Sequence, residues 1–228
     1  MNSKNSTPHP AAKYDAEVGR TIPYYDLFHQ ETISIIKAMQ LEPQNWLDTG
    51  CGTGTFAEKA LAAFPNTAFV LADPSNEMLL ESKKKLANVP SDRVRFLEPA
   101  ATQDLVKNKE RFQVITAIQA HHYLSRDERA KATLACFKLL TQSGVYVTFE
   151  NIRPFTKEGT EIGKKYWKLF QLSQGRNEET VEKHLKRFDS EYFPITIEEH
   201  LSLLRKAGFS TVEMLWLSYL QAGFYCIK

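Results

Sequence analysis

Two periodicities alternate along the chain: short continuous apolar runs, and longer stretches whose apolar residues recur every three or four positions. Ala68–Ala72 reads A-F-V-L-A and Phe112–Ile118 reads F-Q-V-I-T-A-I, the kind of run that a parallel strand covered on both faces requires. Trp46-Leu47 ends a similar run, and residues 93–97, 145–149, 211–217 and 219–227 predict four further strands. Helical spacing covers residues 29–39, and runs from Thr55 through Phe56, Ala57, Ala60, Leu61 and Phe64. Another helix starts at Pro74-Ser75, with Ser75 as the expected N-cap ahead of Met78 and Leu79. Residues 126–140 predict an amphipathic helix ended by a turn at Gln142-Ser143-Gly144, and residues 196–207 one opened by a capping box, Thr196 with Glu199. Strand and helix in turn predict an α/β fold on a doubly wound, mostly parallel sheet.

One stretch departs from this rhythm. Residues 152–194 carry Tyr166, Trp167, Leu169, Phe170, Val181, Leu185 and Phe188 at helical spacing, punctuated by Gly175-Arg176-Asn177. Inserted after the fifth strand, the stretch would lie over the carboxyl ends of the strands, a helical lid that shapes a substrate pocket. Residues 1–12 are rich in Ser, Asn and Pro and read as a disordered tail, leaving a single domain over 13–228.

The chemistry concentrates in residues 45–55, N-W-L-D-T-G-C-G-T-G-T. A strand that ends in a glycine turn and feeds a helix opens a nucleotide-binding βαβ unit, where glycine lets a ligand approach the main chain. Two ligands fit. Gly52-Thr53-Gly54-Thr55-Phe56-Ala57 satisfies the dinucleotide fingerprint, with Asp73 placed as its ribose acid. The fuller string Asp48-x-Gly50-x-Gly52-x-Gly54 closely resembles motif I of the class I S-adenosylmethionine (SAM) methyltransferases.

That resemblance implies SAM as cofactor, with Asp48, Gly50, Cys51, Gly52 and Gly54 at its methionine end. It implies that Asp73, with Pro74 after it, receives both ribose hydroxyls, a task suited to two acceptor oxygens. Ser75 to Leu79 is similar to the family's S-x-x-M-L, which sets Met78 against the adenine; core filling is the other reading of Met78. After the third strand the chain departs from the family, with Glu98-Pro99-Ala100-Ala101-Thr102-Gln103-Asp104 where an acid and Ala are usual. Either Ala100 and Ala101 supply backbone contacts alone, or Gln103 or Asp104 replaces the missing acceptor. Gln119 to Leu124 (Q-A-H-H-Y-L) follows the fourth strand, where the family writes hHhL, so Gln119 and His121 would line the cleft near the transferred group. Adjacent His121 and His122 cannot both face the cleft; one is a candidate general base, and polar packing is the alternative. The pair lacks Cys or carboxylate partners at ligand spacing, so no metal is expected.

Residues 14–28 pack aromatic and charged side chains into a segment that resembles the cofactor-covering N-terminus of many such methyltransferases, which implies a cofactor contact for Tyr25. The alternative is that Tyr24 and Tyr25 pack a helix on the sheet. The phrase A-G-F before two terminal strands is similar to this superfamily, in which the sheet has seven strands and the last is antiparallel. R-T-I-P-Y-Y resembles the R-S-V-P-G-Y segment of the carboxy-SAM synthase branch, which acts in wobble-uridine modification of tRNA, and the closing W-L-S-Y-L-Q-A-G-F-Y-C-I-K is similar to that branch as well. The branch holds an extra carboxylate with an arginine in the insertion; Arg187 falls near that point, its other reading being a surface residue at the end of an amphipathic helix.

Composition narrows the partners. With 43% apolar and 25% charged residues in 228, the chain is ordinary for a soluble globular protein. A net charge of +2 predicts neither direct nucleic-acid binding nor a membrane surface, and favours a small-molecule substrate. No apolar run approaches the roughly 18 residues of a spanning helix. Three cysteines without C-x-x-C spacing fit a reduced, cytoplasmic protein, with Cys51 a small residue that fits its loop and Lys83-Lys84-Lys85 a solvated helix face. A homodimer is left open. The function expected is therefore a SAM-dependent methyltransferase acting on a small molecule. An NAD-dependent oxidoreductase would share the glycine loop, but no Tyr-x-x-x-Lys pair exists to serve it; a SAM-binding protein without turnover is the non-enzymatic reading.

Overall fold

The apolar runs become the centre of a seven-stranded sheet in the computed structural model, which describes Thr7 and residues 9–107 and 109–228. The strands are β1 (Asn45–Thr49), β2 (Ala68–Ala72), β3 (Val94–Phe96), β4 (Phe112–Ile118), β5 (Leu140–Asn151), β6 (Thr211–Ser218) and β7 (Gln221–Ile227). Their order is β3-β2-β1-β4-β5-β7-β6; the first five are parallel, and β7 is antiparallel to both of its neighbours. The order reverses at β1 and β4, so a crevice opens at their carboxyl ends, where ligands of open α/β sheets bind.

Eight α-helices cover the sheet among the described residues: α1 (Tyr14–Thr21), α2 (Tyr25–Ala38), α3 (Thr55–Ala63), α4 (Asn76–Lys85), α5 (Arg126–Leu139), α6 (Lys157–Ser173), α7 (Glu178–Leu185) and α8 (Ile197–Ala207). On one face α2, α3 and α4 bury Phe28, Ile36, Phe56 and Leu79 against Trp46, Phe69 and Val147. On the other, α5 and α8 bury Cys136, Leu139 and Leu204 against Leu47, Ile115 and Phe224. This burial explains the unbroken apolar strands. The expected caps form: Ser75 accepts from Met78 N, and Thr196 and Glu199 make a reciprocal capping box.

Three boundaries differ from the sequence reading. The first main helix starts at Tyr25 rather than residue 29, because Tyr24 takes a left-handed conformation after Pro23 and turns the chain out of α1. The expected turn at Gln142-Ser143-Gly144 is a bulge inside one continuous strand: pairing jumps from Phe112↔Leu140 to Val114↔Val145, with Ser143 at φ 60°. Strand β7 begins at Gln221, since Tyr219, also at positive φ, belongs to the hairpin turn.

Residues 152–194 supply α6 and α7, whose small core is Trp167, Phe188, Tyr192 and Leu220. Trp167 Nε1 donates to the Thr21 carbonyl at 2.7 Å and Arg20 Nε to the Gln174 carbonyl at 3.0 Å, which fixes the insertion to α1. Of the expected tail, residues 1–6 and 8 lie outside the described residues. His9 and Ala11 are buried, with His9 Nε2 3.0 Å from Thr21 Oγ1, so chain packed on the domain extends ahead of residue 13.

Candidate functional site

At the end of β1 the chain must turn from strand to helix within five residues, and three glycines at positive φ do it: Gly50 (69°), Gly52 (55°) and Gly54 (78°). Their surroundings separate their tasks. A Cβ on Gly50 would lie 2.5 Å from the Ala120 Cβ, and one on Gly54 2.3 Å from Ser82 Oγ, so these two let β4 and α4 approach the turn. A Cβ on Gly52 would meet nothing within 4 Å; it would stand in open space facing a cavity.

That cavity, of about 290 Å³, lies at the carboxyl ends of β1, β2 and β4. It is lined by Tyr25, Asp48, Gly50, Cys51, Gly52, Asp73, Pro74, Met78, Ala101, Gln119 and His121, which brings together most of the residues singled out from the sequence. Gly54 and Ala100 do not line it. Gly54 faces α4, and the Ala100 amide is taken by the Asp73 carbonyl at 3.2 Å. Of the two acceptors offered for the adenine, Gln103 is in the wall with its Oε1 unpartnered among the described residues, whereas Asp104 is paired with Lys107 on the surface. Tyr24 is exposed and packs on Trp216 and Tyr219, away from the cavity.

Asp48 is held from behind. Trp46 Nε1 donates to Thr116 Oγ1 at 3.0 Å, and Thr116 Oγ1 donates to Asp48 Oδ1 at 2.7 Å, leaving Oδ2 buried without a partner among the described residues. Burial, opposed by the Thr116 hydrogen bond and reinforced by Asp73, pushes the Asp48 carboxyl up to about 7. Asp73 Oδ2 accepts from Gly52 N at 2.9 Å and Oδ1 from Ser75 N at 2.7 Å, so the glycine turn and the α4 cap aim one carboxylate. Burial raises it to about 6 against those two amides. A partly dehydrated pair of acids in one wall suits a ligand bearing a cation and hydroxyl donors. The Cys51 thiol is also raised by burial, which makes it a filler rather than a nucleophile.

Gln119 lies just past β4 at φ 56°, an uncommon conformation for a residue with a Cβ, and its side-chain amide is buried with neither atom partnered among the described residues. It lines the main cavity and also a second, water-sized chamber of about 20 Å³. Tyr14, Gln119 and Tyr123 belong to both walls; Asn151, Trp167, His184, Arg187 and Tyr192 belong to the second alone. Arg187 is therefore buried in a chamber beside the main cavity, with Nε donating to Glu191 at 2.8 Å, and is not the surface residue of the alternative reading.

The two histidines separate as adjacency requires. His121 faces the cavity, but its ring is engaged on both sides, Nε2 with Thr102 Oγ1 at 3.1 Å and Nδ1 with Tyr146 OH at 3.2 Å. Burial lowers it to about 4. A neutral ring fixed at both nitrogens supports the wall better than it accepts a proton. His122 points to the core, Nδ1 2.9 Å from Glu150 Oε2. Burial would raise the Glu150 carboxyl, but the hydrogen bond to His122 and the surrounding histidine rings outweigh it and hold the group below its ordinary range. Glu150 accepts the amides of His121 and His122, and Arg129 donates to the carbonyls of His121, His122, Leu124 and Phe193, which clamps the whole loop.

Sequence reasoning missed Tyr14, His29, Thr102 and Tyr123 in these walls. His29 was within reach, since it follows Tyr25 by one helical turn and shares its face.

This fold, with an acid–glycine turn at β1 and an acid ending β2, is that of the class I SAM-dependent methyltransferases, enzymes whose cofactor is SAM. Residues 47–146 match the family described as "Methyltransferase domain". The chain is 26% identical over 204 residues to a carboxy-S-adenosyl-L-methionine synthase of Trichodesmium erythraeum, covering 89% of this chain and 79% of that protein. In three dimensions it is similar to magnesium protoporphyrin IX methyltransferase of Synechocystis PCC 6803 with bound S-adenosylhomocysteine (TM-score 0.63, 15% identity, 95% of this chain and 87% of that one). It is also similar to PigF with S-adenosylhomocysteine (TM-score 0.68, 15% identity, 97% of this chain). The chain spans about three-fifths of the length of several methyltransferase structures it matches, 60% for PigF.

Proposed function

We propose that the enzyme methylates a small molecule held in the main cavity beside SAM, with one polar end directed through the shared wall at the water-sized second chamber. The observation that carries this is the shared wall: Tyr14, Gln119 and Tyr123 separate the two cavities. When bound, SAM supplies a sulfonium whose methyl carbon is already electrophilic. The chain's own tasks are then to bind, to orient and to exclude water. Asp48 Oδ2, with the backbone of Gly50, Cys51 and Gly52, would take the methionine ammonium; Asp73 would take the ribose hydroxyls. Pro74, Met78, Ala101 and Gln103 would enclose the adenine, with Tyr25 closing the cofactor side. The Gln119 amide would hold the reacting atom of the acceptor in line. Arg187 favours an acceptor bearing a carboxylate, because a guanidinium donates two parallel hydrogen bonds. Residues 152–194 act as the lid over this end of the site. The absence, among the described residues, of a helix able to span a membrane and the three buried free cysteines support a cytoplasmic setting.

Incubation with methyl-labelled SAM and panels of small carboxylic and aromatic acids tests the reading. Label transferred to one of them, and lost in Arg187→Leu while S-adenosylhomocysteine still binds, supports it; label transferred only to macromolecules overturns it.

A second reading, a carboxy-SAM synthase-like enzyme, is favoured by relatives of that name aligned over 89% of the chain and by Arg187 beside the cofactor cavity. Mass spectrometry of the co-purifying ligand separates the two. A species heavier than SAM by one carboxyl group, regenerated when prephenate is added, would replace the first reading with the second.

A further inference from the structure

Asp15, in the first turn of α1, reaches across the mouth of the cofactor cavity. Its Oδ1 accepts from Thr53 Oγ1 at 2.6 Å and from Thr55 Oγ1 at 2.9 Å, and its Oδ2 accepts from Lys85 Nζ at 2.6 Å. Lys85 Nζ also donates to Thr55 Oγ1. Thr53 and Thr55 flank Gly54 where the glycine turn enters α3, and Lys85 is the last residue of α4. Lys85 is thus not part of a solvated run: its side chain is 19% exposed and turned toward α1.

The neighbouring residue shows what this contact holds shut. Tyr14 lines both cavities and packs edge-on against Tyr25, so α1 forms a roof over them. The roof is fastened at both ends, by Asp15 at the start of α1 and by Trp167 on the Thr21 carbonyl at its finish. The two fastenings differ in access to water. Trp167 is fully buried, whereas the Asp15 side chain is 48% exposed. The Asp15 end is therefore the one that water reaches.

We propose that Asp15 is a positioning residue that latches α1 over the cofactor, so that SAM enters and S-adenosylhomocysteine leaves only when the carboxylate parts from Thr53, Thr55 and Lys85. The proposal rests on reading the main cavity as the SAM site. It gives the two threonines of the turn a task of their own: the glycines face the ligand and the packed helices, and the threonines receive the lid. Charge contributes, since the Lys85 ammonium and the two hydroxyls, working against partial burial, keep the Asp15 carboxyl below its ordinary range.

The test is the dissociation rate of S-adenosylhomocysteine, followed by stopped-flow displacement from the full chain. Asp15→Ala and Lys85→Met should each speed release about fivefold to tenfold, the loss of one charge-assisted contact set. The double variant should be no faster than the faster single one, because both remove the same contact. Release from the wild type should quicken with added salt and release from Asp15→Ala should not. Both charges also sit where they stabilise their helices, Asp15 in the first turn of α1 and Lys85 in the last of α4, so a purely structural role would lower the melting temperature of either variant and leave the release rate unchanged. Release rates within about twofold of wild type in both variants overturn the latch, twofold being less than one ordinary ion pair. If the wild-type chain itself retains no S-adenosylhomocysteine, the reading of the cavity falls and the latch falls with it.

Discussion

Gly52 and Gly54 share a positive φ, so a side chain at either meets the same backbone penalty, and only the neighbours differ. Gly52→Val should abolish S-adenosylhomocysteine binding with a modest fall in melting temperature, since its side chain enters the cavity. Gly54→Val should lower stability further, by about 1–3 kcal/mol for overpacking against Ser82 and Leu86, which thermal unfolding of the pair would measure. Asp73→Ala should weaken binding tenfold or more, at about 1.5–3 kcal/mol per charge-assisted hydrogen bond, and unchanged affinity by calorimetry would remove the ribose assignment. Asp48 makes a pH prediction. Its carboxyl is raised to about 7 in the free protein, and a bound ammonium would lower it, so binding releases a proton and affinity climbs as pH rises toward 7. Calorimetry at pH 6.5 in two buffers of different ionisation enthalpy would detect that proton. At this scale the sequence was informative about residue type and spacing: the acid–glycine string marked the turn correctly. It was silent on direction. Whether Gly54 faces a ligand or α4, and whether Lys85 faces water or Asp15, depends on which helix lies opposite, and no local pattern records that.

Strands β2 and β4 match their sequence limits because burial on both faces keeps them apolar apart from Gln113 and Thr116 of β4. The limits that shifted have non-glycine residues at positive φ, Tyr24, Ser143 and Tyr219, where long-range packing overrides local preference. Helix α1 lies inside the segment 14–28 that the family resemblance marks as covering the cofactor, but its limits are not legible for a related reason. Its polar face carries Asp15 and Arg20, which bind other elements, and only Val18 and Thr21 of its residues are buried. Deleting residues 1–24 should leave the sheet folded, by circular dichroism, yet weaken S-adenosylhomocysteine at least tenfold, since Tyr14 and the Asp15 contacts go together. Equal affinity for truncated and full-length chains would take α1 out of the site.

All six histidines of the molecule are buried, and burial is the leading cause that depresses each of them, to about 4 for His9, His121 and His200 and to about 3 for His29. A group whose folded value is depressed below an unfolded value near 6.5 stabilises the fold when neutral, fully above that pH, and loses the contribution as pH falls toward the folded value. Asp48 and Asp73 act oppositely, since their raised values favour the folded state on acidification. Six groups against two decide the sign. The melting temperature should fall steadily from pH 6.5 to 4.5, and a flat profile would show that the rings ionise without unfolding. The placement of β7 has a consequence for synthesis. β5 is complete at Asn151, yet its outer neighbour is the strand that ends at Ile227, and β6 meets the sheet only through that same strand. While a ribosome is still adding the segment between them, the nascent chain exposes an unpaired row of amides and carbonyls on β5, a template for another chain. The enzyme becomes safe from its own copies only once its final strand has left the exit tunnel.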